Sequence, residues 1–317
     1  MMPASARPAV VAVVGPTAAG KSALSLALAR RLGGEVVNAD SMQLYRGMDI
    51  GTAKLPEPRR EDVPHHVLDI WEVTEPASVV AYQSLARAAV DAIYERDQIP
   101  LLVGGSGLYV RAVLEQFDFP GTDATLRTSL EAELAAVGAA ALHARLASLA
   151  PEAAVRILPT NGRRIVRALE VVMLTGTFVA SLPAPTPHYP AVHIGVDRDP
   201  AELDELIAAR VDAMFAAGLV DEVRALEAVG LRDGRTACRA LGYQQVLRHL
   251  AGECTLDEAR AETVQATRRF VRRQRSWFRR DPAVVWLDGS SPTLLDDALA
   301  VCAAPPVVRI PATFAVG

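Results

Sequence analysis

Gly15-Pro16-Thr17-Ala18-Ala19-Gly20-Lys21-Ser22 is the stretch that decides the fold. It follows the pattern G-x4-G-K-[ST], and its surroundings are those the pattern needs. The valine-rich run Ala9–Val14 before it predicts a short buried strand, and Lys21–Leu32 after it carries helical periodicity. Glycines in such a loop let successive backbone N–H groups converge on phosphate oxygens, and the helix N-terminus adds positive potential. Lys21 supplies a point charge, and the Ser22 hydroxyl can ligate Mg2+. The eight residues read as a P-loop, a cradle for a diphosphate or for a nucleotide such as ATP. They do not by themselves imply hydrolysis. The apolar run Pro100–Val103, after which a partner carboxylate is expected, is followed instead by Gly104-Gly105-Ser106.

Working outward, Glu35–Ala39 predicts a second strand ending at Asp40, and His66–Ile70 a third. Val79–Arg96 is amphipathic at helical spacing, and Pro100–Val103 is a buried-type strand. Strands alternating with helices at these lengths imply a parallel sheet covered on both faces. Beyond the carboxyl ends of such strands lies the ligand crevice, so Asp40, Ser106 and the P-loop are expected to face one another. From Ala124 to about Ala180 the pattern is helical: Leu126–Val137, Ala139–Leu149 and Arg163–Leu174, with no convincing strand. Pro183–Pro190 reads as an extended linker, Val192–Val196 as another strand, and Asp199–Pro200 as a helix start. Several helices are expected to follow. The expectation is an α/β fold: a P-loop NTPase-like parallel-sheet core at 1–120 and 190–317, interrupted by an all-helical insertion at 121–189.

The bulk composition permits this and excludes several alternatives. At 317 residues, 50% hydrophobic and 22% charged, the chain has the make-up of a soluble globular protein. Runs such as Ala9–Val14 and Ile99–Val103 fall far short of the roughly 20 residues that span a bilayer. The N-terminus carries no signal-peptide pattern, so the expectation is a cytoplasmic protein with no membrane partner. Cys238, Cys254 and Cys302 are too few and too scattered for a disulfide framework or a zinc site. The six histidines show no metal-ligand spacing, and the adjacent pair His65 and His66 reads as structural. A net charge of −4 gives the whole molecule no general attraction for nucleic acid.

Against that background the segment Arg268–Arg280 stands out, with seven arginines and no acid. Arg268, Arg272, Arg275 and Arg279 fall on one helical face, with Phe270, Trp277 and Phe278 interleaved. Without local acids to compensate it, the helix points to a polyanion, with Arg163, Arg164 and Arg167 as a second, smaller cluster.

Taken together, the chain resembles the tRNA dimethylallyltransferase (tRNA isopentenyltransferase) family of bacterial type. The resemblance rests on 15–22, on Asp-Ser-Met-Gln-Leu-Tyr-Arg-Gly-Met-Asp-Ile-Gly-Thr-Ala-Lys (40–54), on Pro-His-His (64–66) and on Leu-Asp-Ile (68–70). It continues through Pro-Leu-Leu-Val-Gly-Gly-Ser-Gly-Leu-Tyr (100–109), Arg-Arg-Ile-Val-Arg-Ala-Leu-Glu (163–170), Arg-Ala-Leu-Gly-Tyr (239–243) and Arg-Arg-Gln-Arg-Ser-Trp-Phe-Arg (272–279). These blocks span nearly the whole chain in family order. Ser106 replaces the family's usual threonine, keeping the hydroxyl, and Gln244 stands where a basic residue is common. A bacterial-type enzyme without the C-terminal zinc finger of eukaryotic relatives is expected.

The resemblance implies transfer of a dimethylallyl group from dimethylallyl diphosphate to N6 of the adenosine just 3′ of the anticodon, with Mg2+. It implies Asp40 as general base, and Lys21 and Arg239 as stabilisers of the departing diphosphate. Ser106 would sit near the bridging oxygen or the incoming base. It further implies tRNA contacts by Asp40, Ser41, Met42, Gln43, Ser106, Arg127, Arg163, Arg164, Arg167, Arg272, Arg275 and Arg279. A monomer acting on the tRNA anticodon arm is expected. The chief rival is a small-molecule P-loop kinase, which explains Gly15–Ser22 and Asp40 but neither the arginine segment nor 40–54. A non-catalytic RNA-binding protein would not need Lys21, Ser22 and Asp40 intact. An enzyme prenylating free adenylate would not need the arginine segment.

Overall fold

The computed structural model describes residues 9–117, 119–178 and 186–304. Its contacts divide the chain into two units, Met1–Gln116 with Thr186–Gly317, and Phe117–Pro185. The insertion was expected at 121–189, and the second unit runs from Phe117 to Pro185. Of the Pro183–Pro190 linker, 183–185 lie outside the described residues.

The first unit is built on a six-stranded, all-parallel sheet. In chain order its strands are β1 (Val10–Val14), β2 (Gly34–Asn38), β3 (His65–His66), β4 (Ile99–Gly104), β5 (Ala191–Asp197) and β6 (Val284–Asp288), and their order across the sheet is β3-β2-β4-β1-β5-β6. Strand β1 is central and buried at every position. Val10, Ala12 and Val14 join the apolar cluster on one face, and Val11 and Val13 the cluster on the other. A strand covered on both faces must be apolar throughout, which is why it reads Val-Val-Ala-Val-Val.

The helices follow the same logic. α1 (Lys21–Leu32) packs Leu24 and Leu28 into one of these clusters, and α2 (Val79–Glu95) packs Tyr82, Val90 and Ile93 into the other. α3 (Gly107–Leu114) follows β4 directly. After β5, Asp199 caps α7 (Pro200–Ala216), accepting from the N–H groups of Ala201 and Glu202. Then come α8 (Leu219–Ala228), α9 (Tyr243–Leu250), α10 (Leu256–Phe278) and α11 (Leu294–Ala303). Helix α10, which carries most of the arginines, opens on a capping box between Thr255 and Glu258.

The second unit consists of α4 (Ala124–Leu149), α5 (Pro151–Arg156) and α6 (Gly162–Thr175). Leu130, Leu142, Leu146, Ile165 and Leu169 form its own core. Helix α4 breaks at Gly138, whose φ of 81° and ψ of 167° are not helical, so the two expected segments meet there at a kink.

Two expectations need correction. The strand expected at His66–Ile70 pairs only at His65–His66, because Val67 and Asp69 adopt positive φ and turn the chain out of extended conformation. Strand β6 was not foreseen among the helices after β5. It is an edge strand with Val285 exposed, so it lacks the fully apolar signature of its neighbours.

Candidate active site

The register places the carboxyl ends of β1, β2 and β4 side by side, with Val14 opposite Gly104 and Asn38 opposite Val103. The P-loop leaves β1 through Gly15, at φ 134°. A Cβ there would lie 2.2 Å from the Val196 carbonyl oxygen, so only glycine lets the loop turn this close to β5. Lys21 Nζ donates to the Pro16 carbonyl at 2.7 Å. Burial pushes the pKa of Lys21 down to about 8, although the nearby Asp40 charge opposes this.

Asp40 is held by its neighbours. Its N–H donates to Asn38 Oδ1 at 2.9 Å, while Asn38 Nδ2 donates to the carbonyls of Asp40 and Val67. Asp40 Oδ1 accepts from the Met42 N–H at 3.0 Å, an Asx turn that leaves Oδ2 for other partners. The segment beyond it is braced by Glu222, which accepts from the N–H groups of Asp49, Ile50 and Gly51 and from the Tyr243 hydroxyl. Gln43 Nε2 reaches back to the Thr52 carbonyl.

These elements surround a cavity of about 520 Å3. Thr17, Ala18, Gly20, Lys21 and Ser22 line it from the P-loop, and Asp40, Ser41, Met42 and Gln43 from the turn after β2. Arg239 and Arg273 line it as well, with the apolar residues Ile207, Val211, Met214 and Leu241. Arg210 lines it too, and nothing in the sequence reading named it. Its Nε is buried with no hydrogen-bond partner among the described residues, and burial lowers its pKa against the pull of Asp40. The signal was present: Leu203, Ile207, Arg210, Val211 and Met214 share one helix face, and a lone arginine on an apolar stripe asks for a partner.

One carboxylate facing Lys21, Arg210, Arg239 and Arg273 leaves the cavity an excess of positive charge suited to an anion. Among the described residues no group of three or more histidine, cysteine, aspartate or glutamate side chains could hold a metal ion. The Ser22 hydroxyl and the Asp40 carboxylate both line the cavity, and oxygens of this kind fit a divalent cation held by one or two protein ligands plus substrate phosphates and water.

Other expected site residues are placed differently. Ser106 does not line the cavity; its Oγ accepts from the Ser41 N–H at 3.2 Å and lies 3.3 Å from Ser41 Oγ, so it secures the turn after Asp40. Arg275 Nε and Arg279 Nη2 both donate to Asp197 Oδ2, and Arg268 donates to the Asp204 carbonyl. The acids missing from the arginine segment are thus supplied by β5 and α7. Arg272 is exposed. In the helical unit, Arg127 and Arg167 pair with the fully buried Glu170, while Arg163 and Arg164 are exposed.

Fold and site together define an α/β protein of the P-loop class with a cavity at the head of its sheet whose cationic lining suits an anion. A family model described as IPP transferase matches residues 43–281, and one described as isopentenyl transferase matches 8–63. The chain belongs to the IPP transferase family. It is 71% identical to a tRNA dimethylallyltransferase of Salinispora arenicola, over 92% of this chain and 85% of that protein. It is also similar to the crystal structure of a tRNA isopentenylpyrophosphate transferase from Bacillus halodurans, with a TM-score of 0.70 and 41% identity over 93% of this chain and 95% of that one. The fold is shared with a eukaryotic dimethylallyltransferase at a TM-score of 0.77 and 24% identity, over 92% of this chain and 77% of that one.

Proposed function

We propose that this chain transfers a dimethylallyl group from dimethylallyl diphosphate to N6 of the adenosine 3′-adjacent to the anticodon in tRNA, releasing diphosphate. The observation that carries this reading is the cavity itself. Two half-buried cations, Lys21 and Arg210, share it with the exposed Arg239 and Arg273, one carboxylate and an apolar wall. A prenyl diphosphate has the matching halves, and about 520 Å3 falls within the range of small-molecule sites. The names of the similar proteins point the same way.

The adenine amine is a weak nucleophile because its lone pair is delocalised into the ring. As the N6–C1 bond forms and the C1–O bond breaks, Asp40 takes the amine proton through the carboxylate oxygen not used by Met42. The P-loop amides, Lys21, Arg210 and Arg239 meet the negative charge growing on diphosphate. Mg2+ held by Ser22 would add charge neutralisation on the diphosphate oxygens. Ile207, Val211 and Met214 would shelter the five-carbon chain. The target base must leave its stack to reach Asp40, with Ser41, Met42 and Gln43 beside it. Ser106 acts through Ser41, as a positioning residue.

Arg272, with its exposed neighbours Arg269 and Arg273, and the exposed Arg163 and Arg164 would track RNA phosphates. Arg127 and Arg167 belong to the same cluster, and Arg275 and Arg279 serve by fixing the helix. The chain would act as a monomer, and a tRNA substrate fits a cytoplasmic enzyme. No helix among the described residues is long and apolar enough to cross a membrane.

Mass spectrometry of nucleosides from hypomodified tRNA, after incubation with the protein, dimethylallyl diphosphate and Mg2+, tests the reading. N6-isopentenyladenosine is the expected product. Phosphorylation of sugar or shikimate-type acceptors from ATP, with no modified tRNA, would replace it by the kinase. Arg210→Ala should weaken competition by inorganic pyrophosphate roughly 10- to 100-fold, the scale of hydrogen bonds to charged groups.

A further inference from the structure

The arginine helix contains one residue that its charge pattern hides. Gln274 lies in α10 between Arg273 and Arg275, yet its side chain is buried, at 4% exposure. Both ends of its amide are used. Oε1 accepts from the Thr17 N–H of the P-loop at 2.9 Å, and Nε2 donates to the Gly105 carbonyl at 3.0 Å. One side chain therefore joins three segments far apart in sequence: the diphosphate cradle after β1, the turn after β4, and α10.

The turn after β4 is shaped to receive it. A Cβ on Gly105 would lie 2.1 Å from Gln274 Nε2, so glycine there is what lets the amide approach. Trp277, one turn further along the same helix face, sits where a Cβ on Gly107 would be, 1.9 Å from Nε1. Ser106 lies between these two glycines, and its hydroxyl holds Ser41, the residue after Asp40. The contacts form one chain from Thr17 through Gln274, Gly105, Ser106 and Ser41 to Asp40.

We infer that Gln274 is a positioning residue, setting the separation between the diphosphate cradle and the Asp40 carboxylate for group transfer. The inference rests on the transferase reading above. It follows from what a glutamine amide supplies, an acceptor at one end and a donor at the other, matched here to the Thr17 N–H and the Gly105 carbonyl. Glutamate at neutral pH lacks the donor, and methionine of similar length lacks both. The Thr17 N–H is committed to Gln274, which leaves the later loop amides and Lys21 for the phosphates. Transfer needs the donor carbon and the amine in line, and small misplacements of positioned groups are costly in rate.

The test compares wild type, Q274M and Q274E with tRNA and dimethylallyl diphosphate, at a temperature where circular dichroism shows all three folded. Wild-type turnover reports on the transferase reading alone, and its absence would remove that reading and this inference together. Given wild-type turnover, Q274M should lose about tenfold or more in kcat. Inorganic pyrophosphate and tRNA should still bind within about threefold of wild type, because each site stays locally intact. Unchanged kcat in Q274M, or a kcat loss matched by an equal loss of pyrophosphate affinity, would overturn the inference. Q274E supplies a second readout that also serves if Q274M does not fold. A buried carboxyl gains a proton more readily than a free one, and its O–H can then donate to the Gly105 carbonyl. The kcat of Q274E divided by that of wild type should therefore rise as pH falls from about 8 to about 6. Dividing by wild type removes any pH dependence the two proteins share. A flat ratio would count against the positioning role.

Discussion

Arg275 Nε donates to Asp197 Oδ2 at 2.9 Å, joining the last turn of the arginine helix to the end of strand β5. Both side chains are largely buried, and Arg279 reaches the same oxygen at 3.0 Å while stacking over Trp286. An arginine whose charge is met inside the protein is a poor phosphate ligand but a good structural tie. Arg275→Ala should therefore cost about 1–3 kcal/mol in urea unfolding, the scale of hydrogen bonds to charged groups. It should leave the salt slope of tRNA binding unchanged. Arg272→Ala, on the exposed side, should do the reverse: unchanged stability, and a salt slope lower by about one. Equal slopes for wild type and a stable Arg272→Ala protein would remove that face of α10 from RNA binding.

Asp40→Asn should lower turnover by roughly 10²-fold or more, since the amide cannot accept the N6 proton. The Asx turn to the Met42 N–H can persist through the amide oxygen, so melting temperature and tRNA affinity should stay near wild type. Single-turnover rates at saturating donor are the measurement, and a near-normal rate in a folded variant would take Asp40 out of proton transfer.

Lys21 sets stability against function. Its folded pKa of about 8 lies below the ordinary lysine value of 10.5, so below about pH 8 the fold carries a charge that burial disfavours. Lys21→Met should raise the stability of the ligand-free protein at pH 7 by about 2 kcal/mol, allowing for the lost bond to Pro16. The unfolded chain holds the Lys21 proton to higher pH than the folded one. Wild type should therefore recover stability, and the gap close, as pH rises from about 8 toward 10.5. Donor binding should show the opposite trend, weakening in wild type above pH 8 as the charge that meets the diphosphate is lost. Calorimetric melting across this pH range, with and without inorganic pyrophosphate, measures both.

In the helical unit the buried Glu170 accepts from Arg127, Arg167 and the Asp123 N–H. Burial alone would raise its pKa, but the two arginines hold it below the usual 4.5. A depressed carboxyl contributes stability above its unfolded pKa and loses it as pH falls through the folded value. Glu170→Gln should thus unfold more easily than wild type at pH 7, with the difference shrinking below about pH 4.5. Urea titrations at pH 7 and pH 4 check this. A constant difference would mean that the arginines do not depend on the Glu170 charge.

The residue order alone determined the strand, P-loop and helix that open the fold, the parallel character of the sheet and the helical insertion with its break near Gly138. Such features are written in short range: a buried run, a periodicity, a cap or a glycine acts within about one helical turn of itself. The 40–54 block and Asp40 were legible too, because the turn that holds Asp40 is made largely by Asn38 and Met42 beside it. What only the tertiary structure decided is which side chains share a space. Arg275 and Asp197 are 78 positions apart, and Thr17 and Gln274 are 257 apart. Periodicity shows that four arginines share a helix face, but not that β5 and α7 bring acids to it. Nor can it show that Arg210 lines the same cavity as Asp40, or that the Ser106 hydroxyl meets the Ser41 N–H. Those outcomes follow from the strand order β2-β4-β1-β5 and from the cost of burying a polar group unpaired, which leaves each such group to be paired by whatever the topology brings near.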